Sequence, residues 1–394
     1  MRLYNIFMNL INLVNKNDLL EICKHIGTDL RALKYLEPKK KIYHVYGAHI
    51  DYRAAAFMKQ EMLSRGGDCV VAKHVIDGKT DYSDVLLIGT RSEFERLLIK
   101  LASMDCWGLK RIREELAEIL KALDSRVYEI NLPGNKKLTL GHESELMAII
   151  NLTPDSFYEG SRITSEAELL TRVEKFLNDG AKIIDLGAES TRPNYKPVDE
   201  NEELQRLMPA LKILRREFPD VIISIDTYKS KIAEAAFNEG ADIINDISGF
   251  NYDDRMPETI ARLKIPYVLS HIKDESESHD NLLDAMILYF RDKLQKLEIN
   301  GIDRNKIIID PGIGFGKTQS ENYLILKNIE AFKIFDLPVL IGHSRKRCTG
   351  LEKLSGTLAI TAMLCDRVNI LRVHDVKENS AALEISRAIN KTNI

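Results

Sequence analysis

The sequence lacks the features that would direct a chain into a membrane or out of the cell. It contains no run of eighteen uninterrupted apolar residues, so no transmembrane helix is expected. Asparagines interrupt the apolar residues of segment 1–20 and no small-residue cleavage site follows, so no signal peptide is expected. The five cysteines form no Cys-x-x-Cys pair, and reduced thiols in the cytoplasm are the simplest interpretation.

An excess of charge of one sign is also missing. The chain has 56 Lys and Arg against 59 Asp and Glu, for a formal net charge of −3. This balance gives no electrostatic reason to expect binding to nucleic acid or to a membrane surface. Hydrophobic residues make up 44% and charged residues 29% of the 394 residues, a globular composition that excludes a disordered or low-complexity chain. The length fits one α/β barrel with an additional module.

Residues 1–123 predict a small α/β domain, to which the sequence assigns no role. Apolar runs of strand length alternate there with amphipathic helical patterns. The strands are expected at 41–46, 68–72 and 84–88, and the helices at 51–65, 91–103 and 108–122. The histidines of this part have no metal-ligand spacing. Residues 124–146 predict a linker and a β-hairpin, with Pro133, Gly134 and Asn135 at the turn.

Residues 147–394 predict a (β/α)₈ barrel. Eight continuous apolar runs are each followed by a helical stretch, which is typical of a parallel sheet covered by helices. The runs occupy 147–151, 182–187, 221–226, 242–246, 267–271, 307–310, 338–342 and 369–374. Their number and the segment length match a closed barrel of about 250 residues. An open doubly wound sheet is the alternative, but no G-x-G-x-x-G follows the first run.

Polar residues collect where these eight predicted strands end. They are Asn151, Asp185 and Glu189, Asp226, Asn245 and Asp246, His271, Asp310, the triplet Ser344, Arg345 and Lys346, and finally Arg372 and His374. In a barrel the carboxyl ends of the strands line one mouth, where barrel active sites lie. Any one of these residues has a helix cap as its alternative role. Caps do not explain polar endings on all the strands, so the set predicts an enzyme site for a small molecule.

The residue types narrow the ligand. Asp226, Asn245 and Asp310 suit a heterocycle with several N–H donors, because a carboxylate can accept two parallel N–H bonds. Four basic residues suit a phosphate or another anion. They are Arg192, Lys346, Arg372 and His374. A ligand with a heterocyclic donor face and a phosphorylated tail would use both groups.

Three segments after strand ends have the composition of functional loops. Segments 152–160 and 189–197 mix Pro with polar and aromatic residues, which is consistent with binding and closure, although tight surface turns are the alternative. Segment 310–317 is rich in glycine but lacks the spacing of a phosphate-binding P-loop. Its glycines are expected to let the backbone and Phe315 approach a flat ligand.

Seven ordered motifs resemble those of dihydropteroate synthases, a family of pterin-binding barrels in folate synthesis. They are 149–160 (IINLTPDSFYEG), 185–193 (DLGAESTRP), 224–229 (SIDTYK), 240–247 (GADIINDI), 308–317 (IIDPGIGFGK), 342–346 (GHSRK) and 372–376 (RVHDV). The resemblance runs from about residue 136 to the C-terminus. The preceding module resembles the N-terminal extension of long-form members. The resemblance implies condensation of (7,8-dihydropterin-6-yl)methyl diphosphate with 4-aminobenzoate, with release of pyrophosphate, in a homodimeric enzyme.

The same resemblance implies roles for individual residues. Asn151 would be the Mg²⁺ ligand. Asp226, Asn245 and Asp310 would hold the pterin ring, with Lys346 and Phe315 beside it. Arg372 and His374, helped by Arg192, would bind pyrophosphate, and Phe157, Thr191, Arg192 and Pro193 would shape the arylamine pocket. The catalytic set would be Asp310, Lys346, Arg192 and Asp226, acting in a dissociative, SN1-like step.

Some residues depart from the family pattern. His343 replaces the usual Met, Asn194 a usual Gly, and Arg347 the Ser expected near the aminobenzoate carboxylate. Arg347 has two open interpretations: it grips a carboxylate, or a phosphate on a larger arylamine, or it points to solvent. Two other functions compete with the synthase. One is a pterin-dependent methyltransferase that serves a corrinoid protein, and the other is a non-catalytic pterin-binding protein.

Overall fold

A computed structural model of the protein describes residues 18–122, 127–152, 162–189, 198–273 and 282–392. The chain forms two compact units that divide between Asp124 and Ser125, and the last residues from Ala388 are grouped with the first unit. No helix in the described ranges is both long enough and apolar enough to cross a membrane.

The first unit contains a three-stranded antiparallel sheet in the order β1-β3-β2. The strands are β1 (Ile42–Asp51), β2 (Asp68–Val71) and β3 (Tyr82–Thr90), and the helices are α1 (Asp18–Ile26), α2 (Leu33–Leu36), α3 (Tyr52–Leu63), α4 (Arg91–Leu101) and α5 (Leu109–Ala122). One face of the sheet packs on helices through residues such as Val85, Leu87, Met58 and Phe94. Strand β1 is longer than expected, because a register shift between Gly47 and Ile50 carries the pairing on to Asp51.

The second unit begins with the hairpin β4 (Tyr128–Asn131) and β5 (Lys137–Leu140) and continues as a parallel barrel. Its strands are β6 (Glu145–Asn151), β7 (Ala181–Gly187), β8 (Ile222–Asp226), β9 (Ile243–Asp246), β10 (Tyr267–Ser270), β11 (Ile307–Asp310), β12 (Leu340–Ile341) and β13 (Ile370–Val373). Its helices are α6 (Arg162–Asn178), α7 (Glu200–Glu217), α8 (Ser230–Asn238), α9 (Met256–Leu263), α10 (Leu282–Ile299), α11 (Gln319–Lys327), α12 (Lys353–Leu364) and α13 (Val376–Lys391).

The sheet order β11-β10-β9-β8-β7-β6-β13-β12 is closed by a parallel bridge between Ile309 and Val339. The predicted fold, a (β/α)₈ barrel preceded by a small α/β module, is therefore confirmed, and an open doubly wound sheet is excluded. The seventh strand is shorter than predicted. Its first expected residue is Pro338, which has no N–H to donate to a neighbouring strand.

Alternation of side chains along the strands fills the barrel interior with two sets of residues. The first set is apolar and packs against Ile130, Leu132, Leu138 and Leu140 of the hairpin. It contains Met147, Ile183, Ile222, Ile243, Val268, Ile308, Leu340 and Ile370. The second set stands two positions later on each strand, toward the carboxyl ends: Ile149, Asp185, Ser224, Asn245, Ser270, Asp310, Gly342 and Arg372. The polarity of most of this second set places hydrogen-bonding groups beneath the mouth of the barrel.

Candidate active site

The carboxyl mouth of the barrel brings together the polar strand ends that the sequence singles out. Asp226 pairs in register with Asn245 on the next strand, and both are buried. A Cβ built on Gly342 would lie 3.8 Å from both the Arg372 Cδ and the Lys346 Nζ, so these two cations approach the same point. Lys346 and Arg372 also interact electrostatically with Asp226 and Asp310. The interior therefore holds acids and bases in one cup.

Arg372 lies between two carboxylates. Its Nε donates to Asp185 Oδ2 at 2.6 Å and its Nη2 donates to Asp226 Oδ2 at 2.5 Å. Burial opposes the charge on Arg372, but these two carboxylates raise its pKa above the ordinary value. A diphosphate group approaching this guanidinium would compete with two protein carboxylates for its N–H groups. The contact of Arg372 with pyrophosphate stays a prediction.

Asp226 is an unusually weak acid. Burial raises its pKa to about 7; the charge of Arg372 opposes this rise and the charge of Asp185 adds to it. Burial likewise raises the pKa of Asp310, whose Oδ1 accepts the backbone N–H of Gly312 at 2.8 Å. Both groups must be ionised to accept two N–H bonds from a ligand. For Asp226 the ionised fraction changes with pH near neutrality, and its ability to accept these bonds changes with it.

Lys346 faces the glycine-rich segment that follows β11. Its Nζ donates to the Ile313 carbonyl at 2.5 Å and stands 3.8 Å from the centre of the Phe315 ring. Burial lowers the pKa of Lys346 to about 8, and the negative charge of Asp310 limits that fall. The ammonium and the aromatic ring form one wall of the cup, where a flat ligand would meet both.

The glycine-rich segment has a backbone that only glycine accommodates at two points. Gly312 has φ +69°, and a Cβ there would lie 1.8 Å from the His271 carbonyl oxygen. A Cβ on Gly316 would lie 2.1 Å from the Lys273 carbonyl oxygen. The Lys317 ammonium donates to the carbonyls of His271, Gly312 and Phe315 at 2.9 to 3.2 Å. This lysine thus binds the backbone of the segment and of neighbouring His271, unlike the phosphate-binding lysine of a P-loop.

His343 supports the segment that carries Lys346 from behind. Its Nε2 lies 2.8 Å from the Thr361 hydroxyl, which donates to Asn379 Oδ1 at 2.6 Å. Burial lowers the pKa of His343 to about 4, so its ring is neutral at ordinary pH. These bonds connect the end of β12 to helices α12 and α13.

Three other predicted residues lie at the mouth. Asn151 ends β6 and is exposed. It lies near Asp226, because a Cβ built on Gly187 would be 3.8 Å from the Asn151 Oδ1 and 3.4 Å from the Asp226 Cβ. His374 Nδ1 lies 3.0 Å from the Ser344 hydroxyl. Arg347 is exposed at the start of a short turn, and its side chain forms no hydrogen bond or ion pair with any residue that the structure describes. Phe157, Thr191, Arg192 and Pro193 lie outside the described residues.

The donor set at Asn151 fits a magnesium ion only in part. The amide oxygen is a hard donor of the type that Mg²⁺ prefers. Within the described ranges, however, no group of three or more His, Cys, Asp or Glu residues could hold a metal ion. Mg²⁺ commonly keeps waters and binds through one or two protein groups together with substrate phosphates. The residues present suit that mode rather than a protein cage.

The sequence placed Asp185 among the polar residues at the strand ends but gave it no individual role, although this carboxylate is fully buried and binds Arg372. Its position two residues after the interior residue Ile183 is the signal that identifies it as inward-facing. A second network was also missed: Lys229 Nζ lies 2.6 Å from carboxylate oxygens of Glu189 and Glu203. Next to it a cavity of about 990 Å³ opens beside the ends of β8 and β9, lined by residues that include Tyr228 and Tyr252.

Comparison with known proteins identifies the family. The family described as pterin binding enzyme matches residues 147–374. The dihydropteroate synthase of Clostridium beijerinckii is 38% identical over 65% of this chain and 98% of its own length. The bifunctional dihydropteroate synthase/dihydropteroate reductase of Helicobacter pylori is 32% identical over 97% of this chain and 100% of its own length.

Solved structures agree with this comparison. The dihydropteroate synthase of Xanthomonas albilineans with 4-aminobenzoic acid has a TM-score of 0.62 and 30% identity, covering 68% of this chain and 100% of that one. Some relatives are longer, and the chain spans 36% to 44% of the length of three of them. The family match covers more than half of this chain and lies on the barrel that carries the site. The chain therefore belongs to the pterin binding enzymes, and within them to the transferases of the dihydropteroate synthase type.

Proposed function

We propose that the protein condenses (7,8-dihydropterin-6-yl)methyl diphosphate with 4-aminobenzoate or a related arylamine and releases pyrophosphate. The observation that supports this reaction most directly is the approach of Asp226, Asn245, Asp310 and Lys346 to one cup inside the barrel mouth. Carboxylate and amide acceptors together with a cation over an aromatic ring suit a flat heterocycle rich in N–H groups.

The residues divide the chemistry between the ring and the leaving group. The bond between the pterin methylene carbon and the diphosphate oxygen breaks, a bond to the arylamine nitrogen forms, and the amine proton passes to solvent. The carboxylates of Asp226 and Asp310 offset positive charge that develops on the ring and its methylene. Arg372, His374 and Arg192 supply positive charge for the departing pyrophosphate. The arylamine attacks as a neutral nucleophile, so no strong general base is required.

Mg²⁺ is the cofactor of this proposal. Asn151 would contribute its amide oxygen at the end of β6, and the ion would neutralise charge on the diphosphate as it leaves. Removal of divalent cations by a chelator should abolish turnover, and Mg²⁺ should restore it. Turnover that persists in the chelator would contradict this part of the proposal.

The experiment that tests the function is a pyrophosphate-release assay with the dihydropterin diphosphate and a panel of arylamines. The panel should include 4-aminobenzoate and a phosphoribosylated arylamine, since exposed Arg347 is free to meet a carboxylate or a phosphate. A strong preference for the simple acid would end the larger-acceptor interpretation. Pterin binding without pyrophosphate release would favour a non-catalytic protein, and methyl transfer from a methyl-pterin would favour the methyltransferase.

A second activity is a candidate for the chain as a whole. The Helicobacter pylori relative, which matches almost the entire chain, is named as a dihydropteroate reductase as well. Two longer relatives that match 90% and 89% of this chain are named probable bifunctional folylpolyglutamate synthase/dihydropteroate synthase, and more than half of their length lies outside the match. Oxidation of reduced nicotinamide or reduced flavin that depends on dihydropteroate would support the reductase. No oxidation with either donor would exclude it.

A homodimer in the cytoplasm completes the proposal. Helix α12 buries Thr357, Thr361 and Leu364 on one side and exposes Ala359, Ala362 and Met363 on the opposite side. An exposed apolar strip of this kind suits contact with a second copy. Met363→Glu should convert a dimer to a monomer in sedimentation, whereas Lys391→Glu on the polar end of α13 should not.

A further inference from the structure

We infer that Asp185 is a positioning residue of the pterin site, acting through Asn245 and Arg372. The inference rests on the proposed function, because it assigns a task to a residue beneath the proposed ring-binding groups. Asp185 is fully buried and belongs to the inward-facing polar set on β7. A buried carboxylate must be paired and hydrogen-bonded, since an isolated buried charge is strongly unfavourable.

The neighbours of Asp185 in the sheet do not pair with it. Its register partners are Ile149 on β6 and Ser224 on β8. The Ser224 hydroxyl is buried and has no hydrogen-bond partner among the described residues. The partners that Asp185 does have come from the next strand but one on either side, β13 and β9: Arg372 Nε at 2.6 Å and Asn245 Nδ2 at 3.4 and 3.5 Å. Both partners belong to the proposed substrate-binding set.

The contact with Asn245 selects one orientation of the amide. A carboxylate accepts hydrogen bonds, so the Asn245 group that faces Asp185 is the NH₂. The Oδ1 then lies on the opposite side of the planar amide, as an acceptor for a ligand. A rotated amide would place two oxygens against each other in the buried interior. Asp185 therefore makes Asn245 an acceptor, matching the acceptors Asp226 and Asp310.

The contact with Arg372 divides one guanidinium between two carboxylates. Because Nε goes to Asp185, Arg372 presents Nη2 to Asp226. The charged groups that act on Asp226 are Arg372 on β13, Asp185 on β7, Glu203 on α7 and Lys346 after β12. Of these, Asp185 and Glu203 disfavour ionisation of Asp226, and the two cations favour it. Without the charge of Asp185, Arg372 would form an ion pair with Asp226 alone, and Asp226 would ionise at lower pH.

Asp185→Asn tests both consequences. The variant should raise the KM for the dihydropterin diphosphate about tenfold or more, since Asn245 can then rotate, while the KM for the arylamine stays within about twofold. The acid side of its kcat/KM profile should move to lower pH. A merely structural carboxylate would move neither the pH profile nor one KM alone.

Asp242→Asn is the matched control. Asp242 is also buried, accepts the Ile223 N–H at 2.9 Å and pairs with Arg215, but it precedes β9 at the opposite end of the barrel. Its loss should lower stability without a shift of the acid limb. Equal pH profiles for Asp185→Asn and the wild type, or equal shifts in both variants, would overturn the inference.

Pterin binding and pyrophosphate release, measured separately, distinguish failure of this inference from failure of the proposed function. Binding of 6-hydroxymethyl-7,8-dihydropterin, followed by calorimetry over a pH series, requires no turnover. Asp185→Asn should weaken this binding about tenfold at neutral pH. If the wild type binds this pterin but releases no pyrophosphate, the synthase function fails while Asp185 is still tested. If Asp185→Asn does not fold, Asp185→Glu keeps the charge and should raise the pterin Kd with the acid limb unmoved; unchanged binding would refute the inference.

Discussion

Asp226→Asn should make the enzyme more stable at alkaline pH and less active. The pKa of Asp226 is about 7 in the folded protein against an ordinary 3.8, chiefly because the carboxyl is buried. A pKa that is raised on folding means that the folded state favours the protonated acid. The contribution of Asp226 to the free energy of unfolding is fully present below about pH 4 and is lost as the pH rises through about 7. The asparagine variant has no such charge and escapes this loss.

The magnitude follows from the same values. Each pKa unit corresponds to about 1.4 kcal/mol. A rise from 3.8 to about 7 therefore disfavours the ionised folded protein at pH 8 by about 4 kcal/mol. A change of 1 kcal/mol moves the Tm of a domain of this size by about 2–4 °C. The Tm of the variant minus the Tm of the wild type should thus increase by about 8 °C or more between pH 4 and pH 8.

The assay is thermal unfolding of both proteins at pH 4, 6 and 8, followed by far-ultraviolet circular dichroism. At pH 8 the variant should also lose about 100-fold in kcat/KM for the dihydropterin diphosphate, because an amide replaces an acceptor that binds two N–H groups. Asp242→Asn serves as the control, since it removes a buried carboxylate that the site does not use. Parallel Tm curves for wild type and Asp226→Asn across this pH range would refute the reasoning.

Three further predictions concern the cup and the loop beside it. Asp310→Asn and Lys346→Ala should each lose at least about 100-fold in turnover with unchanged circular dichroism, and near-normal rates in both would remove the assignment. The pKa of Lys346 is lowered to about 8, so kcat/KM should fall as the pH rises through 8, and Lys346→Arg should flatten that limb; an unmoved limb would assign it to another group. Gly312→Ala should lower the free energy of unfolding by about 3 kcal/mol or more, because the alanine Cβ would collide with the His271 carbonyl and the backbone φ is positive. An unchanged urea midpoint would show that the loop adapts.

Periodicity and composition were sufficient to predict the architecture. Apolar runs such as 147–151 and 307–310 correspond to β6 and β11, because a strand buried on both faces must be continuously apolar. The same period also predicts which residues face inward, since Asp310 stands two positions after Ile308. The strand ends were less accurate, because hydrogen-bond pairing decides them: Pro338 shortens β12, and the irregular pairing after Gly47 lengthens β1.

The pairing of charges inside the barrel could not be predicted from the sequence. The sequence predicted Arg372 as an anion-binding residue, but its contacts in the structure are Asp185, 187 positions away, and Asp226. Lys346 similarly rests on the Ile313 carbonyl and the Phe315 ring. Inward direction follows from a local period of two, whereas the partner of an inward side chain depends on which strands become neighbours in the sheet.

The order of residues alone thus determined a barrel whose mouth gathers acids, amides and cations, because alternation and strand count are local properties of the chain. Tertiary structure decided the protonation behaviour of that mouth. Burial of Asp226 beside both Asp185 and Arg372 sets its pKa, and that arrangement exists only once β8, β7, β6 and β13 have paired side by side. Electrostatic energy depends on distance and on exclusion of water, and the linear sequence specifies neither.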